Sequence, residues 1–287
     1  MQPSHQSRQY DAPAKLNIML KVTGVRPDGY HELVSVMVPV GLFDKLEFEK
    51  RRAKGIRLTC KGIPVPNDKT NLVFRAASLF FSRSGIKPGL NIKLTKKIPV
   101  GAGLGGGSSD AACALMALNK MHGRPLSFKN LERLAVALGA DVPFFLYRRP
   151  CTAEGIGEIL NPIENWPKFW YIIITPDFEV STSWVYKNLK LELTSREYSF
   201  IIERLIKKSV HPRDILENDL ESVTASHFPV IRHIKRSLME SGAEGTLMSG
   251  SGPSVFGVFA SESQAFRAKT ALIRQDLGKI HVAEGLN

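Results

Sequence analysis

Pro99-Val-Gly-Ala-Gly-Leu-Gly-Gly-Gly-Ser-Ser-Asp110 is the densest chemical signal in the chain. Five glycines fall between Gly101 and Gly107, and an alanine-rich run with high helix propensity continues to Met121, with Gly123 as a stop. Ordering so many glycines costs backbone entropy, so the stretch needs a purpose that side-chain-bearing residues would not serve. Glycine lets successive N–H groups turn toward one point and lets a ligand approach closely. A helix start adds unsatisfied N–H groups and the positive end of the macrodipole. Together these make a phosphate cradle. Ser108 and Ser109 can cap the helix or donate hydroxyls to the anion.

Several phosphate loops share such glycines, and most fail here. Gly101, Gly103 and Gly106 satisfy GxGxxG, but the acidic residue a dinucleotide fold needs ~20 positions on is absent, with Arg124 and Pro125 there instead. No GK[ST] follows, which excludes a Walker A loop, and neither HRD nor DFG occurs, which excludes a protein kinase.

Outward from the loop, the elements read as a mixed fold. Leu16, Ile18, Leu20 and Val22 alternate with Lys15, Asn17, Met19 and Lys21, the period of a half-buried strand with Lys15 and Asn17 side by side on its polar face. Arg26-Pro-Asp-Gly29 is a turn. Further strands are expected at Leu33–Val38, Leu46/Phe48, Ile56/Leu58/Cys60, Leu90/Ile92/Leu94, Phe169–Ile174 and Val255–Phe259. Helices are expected over 71–84, ending at Gly85, over 127–138, and near 198–208 and 230–241. Asp141-Val-Pro143 should open an extended segment, because proline disfavours helix for the residue before it. The glycines and prolines between Cys151 and Pro167 read as a crossing between domains. Lys96 and Lys97 either meet nucleotide phosphates or are exposed strand-end charges.

Composition narrows the class. At ~150 residues per domain, 287 residues suggest about two domains. Apolar residues at 43% and charged residues at 23% fit a globular chain and exclude a disordered or collagen-like one. The longest apolar run, Ala111–Leu118, is far short of the ~18 residues of a membrane span, and the first ten residues lack the apolar core of a secretory signal. A cytoplasmic protein is expected. Three widely spaced cysteines, Cys60, Cys113 and Cys151, fit reduced thiols. No HExxH or paired CxxC occurs, so no protein-built metal site is expected. The net charge of +12 attracts polyanions (nucleic acid, anionic lipid or phosphorylated small molecules) without deciding among them.

The glycine stretch resembles the P-x-G-x-G-L-G-[GS]-[GS]-S-S loop of the GHMP kinases. Pro13-Ala-Lys-Leu-Asn17 is similar to that family's N-terminal motif, and Ser249-Gly-Ser-Gly-Pro-Ser254 to its C-terminal glycine motif. Thr23-Gly24, Arg26, Asp28-Gly-Tyr-His-Glu-Leu33, Asn71-Leu-Val73, Leu138-Gly-Ala-Asp-Val-Pro143 and Ala153-Glu-Gly-Ile-Gly-Glu158 point to one branch. Its members phosphorylate the tertiary 2-hydroxyl of a cytidyl-diphosphate-linked methylerythritol, in non-mevalonate isoprenoid synthesis. The alternative is a homoserine or mevalonate type, whose substrate has no cytosine for the Asp28–His31 segment to hold. A basic nucleic-acid-binding protein is the third reading, but no aromatic-plus-basic platform supports it.

The resemblance implies an α+β fold with an N-terminal domain of ribosomal-protein type over 1–160 and a ferredoxin-like C-terminal domain over 161–287. It implies ATP as co-substrate, with Mg²⁺ to neutralise its phosphates. Lys15 and Asp141 match the catalytic pair. Pro99, Val100, Gly101, Ala102, Gly103, Leu104, Gly105, Gly106, Gly107, Ser108 and Ser109 match the nucleotide loop, and Asn71, Leu72 and Val73 the adenine side. Asn17, Tyr30, His31, Thr182 and Tyr186 match the substrate side, with Tyr30 stacking on cytosine, His31 on its polar edge and Tyr186 on its other face. The partners implied are the cytidyl alcohol and ATP, with no nucleic acid and no membrane. The oligomeric state is left open.

Overall fold

The computed structural model describes residues 7–190 and 211–287. The helix expected near 198–208 lies outside the described residues. The chain divides into two compact units, one of Met1–Ala14, Phe43–Val100 and Gly105–Tyr147, the other of Lys15–Leu42, Gly101–Leu104 and Arg148–Asn287. Two long strands, β1 (Arg8–Val25) and β2 (His31–Lys50), contribute residues to both.

In the first unit β3 (Gly55–Gly62) runs parallel to β4 (Gly89–Lys96), and β4 pairs antiparallel with Lys45–Lys50 of β2. Three helices, α1 (Leu72–Ser84), α2 (Gly106–Met121) and α3 (Phe128–Leu138), pack against one another. Their ends follow local chemistry. The Asn71 side chain accepts the Val73 N–H at 2.8 Å, and Gly85 closes α1 in the left-handed region at φ 70°. Ser127 caps α3. Val73, Ala76, Ala77, Phe80 and Phe81 form the buried face of α1. Phe80 is fully buried, which contributes about 2–3 kcal/mol.

Two local expectations fail here. Asp141-Val-Pro143 is not extended but turns into a four-residue helix, α4 (Phe144–Tyr147), with Leu146 N–H bonded to Pro143 O at 3.0 Å. Proline restrains the residue before it yet favours the first turn of the helix it opens. Ser108 and Ser109 do not cap α2 either. The cap position is Gly105, left-handed at φ 67°, with no side-chain bond, and both serines lie inside the first turn.

In the second unit Met19 and Leu20 of β1 pair parallel with β8 (Glu217–Asn218). Ser35–Met37 of β2 pair with β5 (Cys151–Glu154), which forms a hairpin with β6 (Ile159–Pro162). The glycine- and proline-rich stretch after Cys151 is thus a sheet extension. A separate antiparallel sheet has the order β11 (Lys279–Glu284), β7 (Trp170–Thr175), β10 (Val255–Phe259), β9 (Gly245–Met248). With α7 (Val230–Glu240) before β9 and α8 (Glu262–Leu272) after β10, this is a ferredoxin-like arrangement. Ile172, Ile174, Ile234, Leu238, Val255, Phe259 and Leu272 form its seam. Two shorter helices complete the unit: α5 (Thr182–Asn188), capped by Ser181, and α6 (Asp219–His227), capped by Asn218. The whole is α+β. No helix among the described residues is long and apolar enough to cross a membrane.

Strand β1 is not half-buried. Lys15, Asn17 and Lys21 are as enclosed as their apolar neighbours, at 4%, 3% and 7% exposure. Alternation in the sequence marked two chemically different faces, and both are covered.

Candidate active site

The polar face of β1 is covered by residues of the two glycine motifs, and hydrogen bonds join all three motifs. Lys15 N–H donates to Leu104 O at 3.0 Å. Asn17 N–H donates to Ser249 Oγ at 3.2 Å, and that hydroxyl donates to Gly103 O at 2.9 Å. Ser254 N–H reaches Ala102 O at 3.3 Å. Glycine is required at two of these contacts. A Cβ on Gly103, at φ 75°, would collide with Ser249 O, and one on Gly250, at φ 58°, would stand 3.5 Å from Lys15 Nζ and 3.2 Å from Asn17 Oδ1. The Gly250 backbone therefore lies close against Lys15 and Asn17. The ammonium itself donates to Asn17 Oδ1.

Side chains outside the motifs hold this junction. Asn218 donates to Met248 O and Gly250 O, both at 2.8 Å, and Thr224 Oγ1 donates to Ser251 O at 3.2 Å. Thr175 and Ser254 hydroxyls meet at 2.8 Å. None of these props was found from the sequence, because an isolated Asn or Thr far from the loop carries no spacing signal.

The expected substrate-side residues lie in the same unit. The turn at Arg26–Tyr30 forms as read, with Gly29 at φ 84° and Tyr30 N–H donating to Asp28 Oδ1 at 3.2 Å. Tyr30 is 60% exposed. His31 lies against Tyr186, with ring centroids 4.8 Å apart and planes at 35°. Thr182 Oγ1 and Ser251 Oγ are 2.8 Å apart, which ties α5 to the C-terminal glycine motif.

The first unit holds Pro99, Val100, Gly105–Ser109, Asn71–Val73 and Asp141. Asn71 Nδ2 also donates to Pro66 O at 2.6 Å, fixing the chain that enters α1. Lys96 is neither exposed nor open to a phosphate. It is 3% exposed and paired with Asp44 and, at 2.8 Å, with Asp110. Asp44 also accepts the Ile98 N–H at 2.9 Å. Burial pushes the Asp110 carboxyl up to about 8, with Lys96 pulling against the rise and Asp44 adding to it. A Cβ on Gly106 would come within 2.7 Å of Lys96 Nζ, so the start of α2 rests directly on this cluster. Ser109 Oγ and Asp110 Oδ1 are buried without a hydrogen-bond partner. Among the described residues no cluster of His, Cys, Asp and Glu could hold a metal ion by itself.

Residues 71–149 match the model of the GHMP kinase N-terminal domain, and residues 202–277 match that of the GHMP kinase C-terminal domain. The chain belongs to the GHMP kinases. Within that class it is similar to 4-diphosphocytidyl-2-C-methyl-D-erythritol kinase of Syntrophotalea carbinolica, 46% identical over 96% of this chain and 98% of the relative. The enzyme of the same description from Geobacter sulfurreducens is 48% identical over 90% of this chain and 91% of its own. A crystal structure of 4-(cytidine 5'-diphospho)-2C-methyl-D-erythritol kinase superposes with a TM-score of 0.83 at 36% identity, covering 98% of this chain and 100% of that one.

Proposed function

We propose that this chain transfers the γ-phosphoryl group of ATP to the 2-hydroxyl of 4-diphosphocytidyl-2-C-methyl-D-erythritol, a step in the methylerythritol phosphate route to isoprenoid precursors. The observation that carries this reading is near-full-length similarity to enzymes of that description, in a chain whose two glycine motifs hydrogen-bond to the strand that carries Lys15.

The chemistry assigned to the residues follows from the substrate. A tertiary hydroxyl is a weak nucleophile, so Asp141 accepts its proton as the oxygen attacks phosphorus. The bond from that phosphorus to the β,γ-bridging oxygen breaks, and ADP leaves with the electron pair. Lys15 favours the negative charge developing on the attacking oxygen, and Asn17 holds the ammonium in place. The amides of Gly101–Ser109 bind the polyphosphate, with Pro99 and Val100 leading into them, and Asn71–Val73 line the adenine side. Tyr30, His31 and Tyr186 hold the cytosine, and Thr182 lies toward the reacting end.

Mg²⁺ accompanies the nucleotide. It binds through one or two protein oxygens, phosphates and waters, so no protein cage is needed. The unpartnered Ser109 hydroxyl, with Ser108 beside it, fits that requirement. When bound, the ion neutralises phosphate charge. We assign nucleotide binding to the N-terminal domain spanning 1–160, followed by a C-terminal domain over 161–287, in a cytoplasmic enzyme.

The test is ADP release with the cytidyl alcohol, homoserine and mevalonate offered separately. Turnover with the cytidyl alcohol alone is expected. Turnover with either of the others and not with it would replace this reading by the homoserine or mevalonate type.

A further inference from the structure

Behind Asn17, and outside all three motifs, stands Ser35. It is 1% exposed, on strand β2 of the same unit, and pairs in register with Ala153. Its hydroxyl donates to Met19 O at 2.6 Å and accepts from Asn17 Nδ2 at 2.9 Å. The direction of these bonds is forced. A serine hydroxyl carries one hydrogen, and a main-chain carbonyl can only accept. With that hydrogen committed to Met19 O, Ser35 Oγ has only lone pairs to offer Asn17. The Asn17 amide must therefore present its NH₂ group to Ser35 and its oxygen to the other side, where Lys15 Nζ lies.

We infer that Ser35 is a positioning residue for the phosphoryl transfer. It anchors the NH₂ end of the Asn17 amide while the Lys15 ammonium, a donor only, holds the oxygen end, so the two together set the amide's rotation. Without Ser35 the amide still turns its oxygen to the cation but loses its anchor on the β2 side, and the ammonium tied to it is less closely placed. The consequence is catalytic and not merely structural. A misplaced ammonium weakens stabilisation of the attacking oxygen, whereas nucleotide binding by the loop amides is untouched. This inference rests on the proposed function for its kinetic arm only.

Ser35→Ala tests it. The kcat is expected to fall about tenfold while the KM for ATP changes less than about twofold. Ser35→Thr, which keeps the hydroxyl, should recover most of the rate. In an Asn17→Ala background, Ser35→Ala should cost nothing further, since the effect passes through the amide. Independently of turnover, the Asn17 side-chain NH₂ resonances, assigned by their loss in Asn17→Ala, should be protected from hydrogen exchange in the parent protein and in Ser35→Thr. In Ser35→Ala they should exchange freely. Unchanged protection in Ser35→Ala, or an equal loss of rate with and without Asn17, overturns the inference. If the cytidyl alcohol proves not to be the substrate, the resonances still decide the role of Ser35.

Discussion

Two buried lysines, one in each unit, have surroundings that differ in kind. Lys96, in the first unit, is gripped by two carboxylates, Asp44 and Asp110, and the start of α2 rests on the group. Lys15, in the second unit, donates to the amide oxygen of Asn17, with the backbone of Gly250 close by. Lys96 ties a strand to the start of a helix, whereas Lys15 is joined to Asn17 on its own strand, next to the glycine motifs. The same residue type, equally buried, is built into two different networks, and the proposed chemistry falls to the second.

That contrast can be broken by substitution. The largest effect is expected from Asp141→Asn, which removes the proposed base: kcat should drop by about 10³-fold or more with nucleotide affinity within a few-fold. Steady-state kinetics beside ATP-analogue titration checks this, and near-normal turnover would remove the base role. Lys96→Met should act on folding instead. It removes the cation shared by the buried Asp44 and Asp110, at a cost of about 3–5 kcal/mol, read as a lowered denaturant midpoint. An unchanged midpoint would mean that the cluster is not the support described here.

Smaller effects sharpen the picture. Tyr30→Ala should raise the KM for the cytidyl alcohol about tenfold and leave that for ATP alone, consistent with loss of one stacking contact. Equal losses for both substrates would argue against cytosine stacking. A further effect concerns pH. Asp110 holds its proton up to about 8 in the folded chain, whereas an unfolded aspartate releases it near 3.8. Across that window the folded state binds more protons than the unfolded one, so this group's contribution to stability declines as pH rises from about 4 to about 8. Asp110→Asn should flatten that decline, as thermal midpoints measured across the range would show.

Much of this was legible in the sequence because it is written locally. Asn71 and Gly85, Ser127, and the Pro-Asp-Gly turn sit at the ends of elements, where one residue's conformational preference decides the outcome. The two glycine motifs were legible because close backbone approach admits few residue types. What escaped reading depends on contacts far apart in the chain. The burial of β1 on both faces comes from residues more than two hundred positions away, such as Ser249. Lys96 looked like a strand-end charge because Asp44 lies 52 positions before it. Ser35 gave no signal, since its meaning lies in the direction of a hydrogen bond.

The most direct measurement compares the parent chain with Lys15→Met for both turnover of the cytidyl alcohol and thermal midpoint. Methionine keeps the length of the side chain and removes the charge. Turnover should collapse by about 10³-fold while the midpoint moves only a few degrees. A Lys15→Met protein that still transfers phosphate at the parental rate would contradict the claim that chemistry happens where the three motifs meet.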